Sequence, residues 1–480
     1  MTNQTIFEFL ETTATGGGLD FAARAQNGIR SHERQSAPAA VSRAIHYLGS
    51  KLRMKDLITQ AVNYVDPNGG DVCDLFSGSG TVAKSLGAGR RVTAVDIQEY
   101  SRVLCSALLN PAAVEQTSFE NLLQEARHSE HSRILAWATE PLSSYETECR
   151  VAAEKGDLEP LCDFLENASF LQMQRNGMCD SSPRLRSAMA EMQTRLENAN
   201  LHNSNKSVIT RYYGGVYFSY AQAAQLDMLL ELVFDADPHF RDVLLASLLG
   251  TASDVVNTVG KQFAQPIRPK SRNGVVKASL AKRVERDRTV DVYATFESWV
   301  YRHATSAPNA AEHIVLRADY RDALEHLPKS VRVVYADPPY TRDHYSRYYH
   351  VLETMCLRDC PVISTTLVNG VERVSRGIYR AERHQSPFCI KTQARGAFAS
   401  LISGVRRLNI PLILSYSPFD AESGARPRLM TIDDIHALAS AAYRTVEVWS
   451  ADDFTHSKLN RSGLNKEMAY GAEKLIICKP

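Results

Sequence analysis

The stretch VVYADPPYTRDHYSRYYHVLE, which begins at Val333, holds the residues with the clearest chemical potential. An apolar run passes straight into Asp337, Pro338, Pro339 and Tyr340. The prolines end a strand there, because each fixes φ and contributes no backbone N–H. A carboxylate beside so rigid an apolar corner is desolvated, which costs free energy. The Asp337 carboxylate, the carbonyl oxygens of the corner and the Tyr340 ring together make a receptor for a flat ring that bears an amino group. A plain strand-terminating turn is the competing reading.

A second constellation is DLFSGSGTVAKSLGAGRRVTAVD. One strand ends at Phe76, the turn is Ser77-Gly78-Ser79-Gly80, a helix follows, and the next strand ends in Asp96. Glycines let the backbone approach a ligand where a side chain would obstruct it. An acidic residue ending the second strand accepts both hydrogen bonds of a ribose diol. This spacing favours a nucleoside cofactor over a bare strand–helix connection. The turn is G-S-G rather than G-x-G-x-x-G, and no Walker lysine follows, which disfavours a pyrophosphate dinucleotide or ATP. IHYLGSK, from Ile45 to Lys51, puts an aromatic, a glycine and a lysine just ahead of this turn; alone it reads as a helix start with a solvated lysine. VLRADYRDAL puts Asp319 and Tyr320 after a short strand, with Asp319 placed to cap a helix. Only one helix separates them from the strand of Asp337, so both open on one crevice.

Positioning these groups requires an alternating α/β frame, and the chain supplies it in two pieces. Residues 1–40 read as an N-terminal arm. Over 41–111, KLRMKDLITQAVNYV, TVAKSLGAG and YSRVLCSALLN have helical spacing, whereas DVCDLF and RVTAVDI read as buried strands. Over 112–305 the alternation gives way to helical segments such as DLEPLCDFLENASFLQMQ and AEMQTRLENAN. It returns over 306–480 in HIVLRADY, RVVYADPPY, PLILSYS, RTVEVWS and EKLIICKP. One α/β domain is thus expected to be split by an insertion of roughly 190 residues, the size of a separate functional module.

Composition narrows the classes. Of the 480 residues, 44% are hydrophobic and 23% charged, as in soluble globular proteins. The 55 basic and 54 acidic residues leave a net charge of +1, so only local charge can speak to nucleic acid. No run approaches the ~20 apolar residues of a membrane span, and MTNQTIFEFLETT lacks the features of a secretory signal. Nine scattered cysteines without a C-x-x-C pair suggest reduced thiols, a cytoplasmic location and no metal site.

Taken in order, YLGSK, DLFSGSG, VDIQ, ADY and DPPY resemble the adenine-amino DNA methyltransferases of the Dam type, in the arrangement called alpha. The resemblance covers about 41–110 and 310–480. It implies a Rossmann-like core dependent on S-adenosylmethionine, with a large, mainly helical target-recognition insertion. By similarity, Tyr47, Gly49 and Lys51 line the methionine end of the cofactor with Phe76, Gly78 and Gly80, Asp96 holds the ribose, and Ile97, Asp319 and Tyr320 frame its adenine. Asp337, Pro338, Pro339 and Tyr340 form the catalytic corner. Asp337 and the Pro338 carbonyl would accept the two hydrogens of the target amine, and Tyr340 would stack on the base.

The implied substrate is double-stranded DNA, with the target base flipped out of the duplex. Arg342, Tyr345 and Arg347 offer stacking and phosphate contacts, although Tyr345, Tyr348 and Tyr349 equally suit a helix packed on the core. Between Lys261 and Arg288 nine basic residues face only Glu285 and Asp287. Arg268, Lys270, Arg272, Lys277, Lys282 and Arg283 of this run are read as DNA contacts rather than a solvated face. RYYGGVYFSY, Arg211–Tyr220, reads as a recognition hairpin or as core, and the basic segment around Arg461 as a loop that touches DNA. A restriction or phage-defence setting, with cleavage in a partner protein, is a further expectation. An RNA adenine methyltransferase and a DNA-binding subunit with a retired methyltransferase shell are the alternatives.

Overall fold

The computed structural model describes residues 44–47, 51–177, 181–304, 312–341, 344–417, 429–450 and 473–480. Gly49, Arg342, Arg461 and the arm at 1–40 lie outside them. Seven strands form one mainly parallel sheet in the order β3-β2-β1-β4-β7-β9-β8. They are β1 (Asp71–Asp74), β2 (Val92–Asp96), β3 (Ile314–Arg317), β4 (Val331–Ala336), β7 (Leu412–Tyr416), β8 (Thr445–Ser450) and β9 (Lys474–Lys479). Each of these segments was expected from the sequence. Only β9 runs antiparallel, to β7 on one side and β8 on the other.

The near-continuous apolar runs follow from burial on both faces. On one face Val72, Val92, Val333, Ile413 and Ile477 pack against the helices Lys55–Val65, Thr81–Gly87 and Glu99–Leu109. On the other, Val334, Ala336, Leu412, Leu414 and Ile476 pack against Tyr320–Glu325, Ala394–Arg407 and Ile432–Ala442. Alternate residues of β4 therefore anchor opposite layers.

From Gln116 to Ala304 the described chain is mainly helical and includes a 25-residue helix, Glu130–Glu154, with an irregular stretch between Val255 and Leu280. Here RYYGGVYFSY resolves as core: Tyr213, Tyr217, Phe218 and Tyr220 are fully buried. Tyr220 fills the space beside Gly214 and Gly215, so the stretch packs inward and is not an exposed recognition hairpin. Much of the basic run is also structural. Arg288 is buried against Glu146 at 2.6 Å, and Asp287 gathers both Lys261 and Arg286. Arg288 and Lys261 thus neutralise buried carboxylates instead of forming a solvated phosphate-binding face, whereas Arg286 bonds Asp287 from an exposed position. Arg268, Arg272, Lys277 and Lys282 remain exposed, and Lys270 and Arg283 half-exposed.

The alternation read from the sequence overlooked a second, two-stranded sheet, β5 (Thr365–Val368) with β6 (Val371–Val374). Its turn places Asn369 and Gly370 at φ 52° and 77°, the left-handed pair of a tight hairpin.

Candidate active site

The strand order reverses between β1 and β4, where an open α/β sheet has its ligand crevice beyond the strand carboxyl ends. Phe76, Asp319 and Asp337 fall there just past β1, β3 and β4, and Asp96 ends β2. One pocket is lined by Tyr47, Lys51, Phe76, Gly78, Asp96, Ile97, Asp319, Tyr320, Asp337, Pro338, Pro339, Tyr340 and Tyr345. Thirteen of the residues singled out above thus share a single site. Gly80 stands behind it, facing Leu108 and Cys105.

At one end, three rings pack against one another and form an aromatic wall. Phe76 lies 5.6 Å from Tyr320 and 5.5 Å from Phe388, and Tyr320 lies 5.4 Å from Phe388. Asp319 caps the helix that begins at Tyr320, accepting the Arg321 N–H at 2.9 Å, so capping and pocket lining coexist in one residue. Asp96 accepts the Gly78 N–H at 3.0 Å and the Gln98 N–H at 2.9 Å. Burial raises its pKa, and these two hydrogen bonds oppose the rise. A carboxylate has about four acceptor positions, so capacity for a diol is left. Gly78, at φ 53°, passes directly beneath Tyr47: a Cβ there would stand 2.7 Å from the tyrosine Oη. Tyr47 is held in turn by Tyr349, stacked at 5.1 Å and 7°.

The other end is charged. Lys51 was read in isolation as a solvated lysine; it is instead buried, with Nζ 2.8 Å from Asp337 Oδ2 and 3.1 Å from Glu473 Oε1. Burial alone would depress its pKa, but Asp337 and then Glu473 outweigh it, and the ammonium is held well above the usual lysine range. Glu473 also accepts from the Ser415 hydroxyl at 2.8 Å. Asp74, 1% exposed, shares the pocket wall. Burial, then the nearby Asp337 and Asp96, push its carboxyl up to about 8. Tyr345 stacks on Tyr47 at 5.6 Å, while Tyr348 and Tyr349 are buried and support the wall as core residues.

The second half of the opening stretch locks the two halves of the frame. Glu353 reaches back to accept the Glu99 and Tyr100 N–H groups at 3.1 and 3.0 Å, satisfying the start of the helix that follows Asp96. Sequence reasoning missed Asp74, Glu353, Phe388 and Glu473. Phe388 sits in a short SPF turn, and Glu473 precedes an ordinary strand; neither carries a local pattern.

The pocket thus combines an aromatic wall, an acid at the end of β2 and a D-P-P-Y corner. A D12 class N6 adenine-specific DNA methyltransferase domain is detected at residues 47–174. The D12 match takes in Tyr47, Lys51, the glycine turn and Asp96, and it ends before Asp337. It supports an enzyme that methylates adenine in DNA, as the ordered motifs implied. No curated protein matches the chain. Among the described residues, no cluster of side chains is built to hold a metal ion and no helix is long and apolar enough to cross a membrane.

Proposed function

We propose that this pocket binds S-adenosylmethionine and transfers its methyl group to the exocyclic amine of an adenine flipped out of DNA. The observation that carries this reading is the convergence of Asp96 and the glycine turn with Asp337–Tyr340 on a single crevice. The residues suit the cofactor. The wall of Phe76, Tyr320 and Phe388 would pack against its adenine, Asp96 would hold its ribose, and Tyr47 with Gly78 its methionine arm. S-adenosylmethionine bound there supplies a methyl group already activated on a sulfonium.

The chain's own contribution is orientation and charge. The lone pair of an adenine amine is delocalised into the ring, so the amine is a weak nucleophile. Asp337 and the Pro338 carbonyl accept its two hydrogens, which favours the pyramidal amine and directs its lone pair outward. The carboxylate also offsets the positive charge that develops on nitrogen. Lys51 fixes Asp337 Oδ2 at 2.8 Å, so the acceptor is oriented before a base arrives. Tyr340 gives the base a ring to stack on. The proton leaves after transfer, and Asp337 need not be a full general base.

The test is methyl transfer from labelled S-adenosylmethionine, with unmethylated genomic DNA and total RNA offered in parallel and the nucleosides resolved by mass spectrometry. Methylated deoxyadenosine is the expected product. Label confined to RNA, or in neither polymer, would refute the assignment.

A further inference from the structure

The geometry points to a cationic rail, assembled from three separate chain segments, that carries the phosphate backbone of duplex DNA from the mouth of the pocket to the loop at 268–277. This rests on the reading of the site as a DNA adenine methyltransferase. It begins with Arg347 and Arg383, which adjoin the pocket-lining residues Ser346 and His384. The Ser346 hydroxyl donates to the His384 carbonyl at 2.5 Å, tying these two segments together at the pocket wall. The exposed guanidinium of Arg347 lies 4.6 Å over the Tyr379 ring and donates to its hydroxyl at 3.2 Å. A guanidinium held over a ring and bonded to its hydroxyl keeps its fork of donors oriented.

Tyr379 passes the connection on by donating to the Ala264 carbonyl. Arg376, on the same segment, donates to the Ile267 carbonyl at 2.9 Å. That bond sets Arg268 beside Arg376, and Lys277 closes the loop by donating to the Arg268 carbonyl at 2.6 Å. Arg268 and Lys277 are both exposed.

This crowding distinguishes the rail from an ordinary solvated face. Burial and then Arg268 hold Arg376 below the usual arginine range, with Glu166 and Tyr217 acting the other way. Burial, Arg283, Arg268 and Arg376 do the same to Lys277, and burial with Arg347 to Arg383. Like charges kept within reach of one another repel. A polyanion laid along them removes that repulsion and releases its own counterions. A small anion would need only one such group, whereas a line of cations leading to a base-accepting pocket matches a repeating phosphate chain.

The experiment measures affinity for a short fluorescent DNA duplex against salt. The triple variant Arg268→Gln/Lys277→Gln/Arg347→Gln is compared with Lys329→Gln/Arg332→Gln/Arg407→Gln, which removes equal charge at the amino-terminal edge of the sheet. Each lost phosphate contact lowers the slope of log K against log salt by about 0.9. The first triple should therefore lose about 2–3 from the wild-type slope, while the second keeps it. Calorimetric binding of S-adenosylmethionine by each variant checks that the pocket is intact. A wild-type slope in the first triple overturns the rail. Methyl transfer by the wild-type protein, assayed in parallel, separates the two ideas. Transfer to DNA with an unchanged slope overturns the rail alone. No transfer, with the slope still reduced, overturns the methyltransferase reading and keeps the rail.

Discussion

Lys51 turns Asp337 from a mobile anion into a fixed acceptor, and Glu473 holds Lys51 from the other side. Lys51→Met leaves two carboxylates facing each other without their shared cation. Removing one partner of a buried ion pair costs about 3–5 kcal/mol, so this variant should unfold at markedly lower urea, and Lys51→Met/Glu473→Gln should recover part of the loss. An additive double variant would mean that the two residues do not communicate. Asp337→Ala should abolish methyl transfer while S-adenosylmethionine still binds; robust turnover in it would remove Asp337 from catalysis. Asp74 gives a test in pH. Its folded pKa of about 8 lies above that of a free carboxyl. A group raised in this sense contributes stability that is complete below its unfolded pKa of ~3.9 and is lost as pH rises through the folded value. The melting temperature of the cofactor-free protein should therefore decline between pH ~4 and about 8. Asp74→Asn should flatten that decline, and an unaltered profile would show that Asp74 does not titrate in this window.

At the scale of elements, the glycine turn is where chain geometry decides binding. Gly78 combines a positive φ of 53° with the hydroxyl of Tyr47 where a Cβ would project. Gly78→Ala must move the Tyr47 ring or distort the turn, and calorimetry should show affinity for S-adenosylmethionine reduced by at least ~10-fold; near-native affinity would place the methionine arm elsewhere. The turn and the strands around it were legible in the sequence because buried parallel strands read as uninterrupted apolar runs and their ends carry the polar residues. What escaped was whatever depends on neighbours distant in sequence. Glu473 meets Lys51 only because β9 inserts between β7 and β8, and no local pattern encodes that order. The rings of RYYGGVYFSY show no period that separates a surface hairpin from core, and burial among helices settled it. The β5–β6 hairpin did carry a signal, Asn369-Gly370, the strongest short-range mark of a tight turn.

For the molecule as a whole, the helical region between β2 and β3 is joined to its surroundings by packing. Its buried residues form one cluster with Tyr100, Val103 and Leu104 before it and Val351, Leu352 and Met355 after it. Residues 112–305 expressed alone should thus lack a fixed tertiary structure, with no near-ultraviolet circular dichroism and no cooperative melt; a sharp transition would show that the segment folds as an independent unit. The same layout has a consequence in time. β1 pairs with β2 soon after both are made, but its other neighbour is β4. Lys51 waits longer still, for Glu473. At ~5–20 residues per second, a ribosome needs roughly 20–80 seconds to make the intervening chain. Until β4 is made, roughly 10–50 seconds after β2 at that rate, the nascent half-sheet presents an unpaired apolar edge, the kind of surface that recruits other strands. Birth, more than maturity, is the vulnerable period of this protein, and a chaperone that shields the open edge of β1 would act on it then.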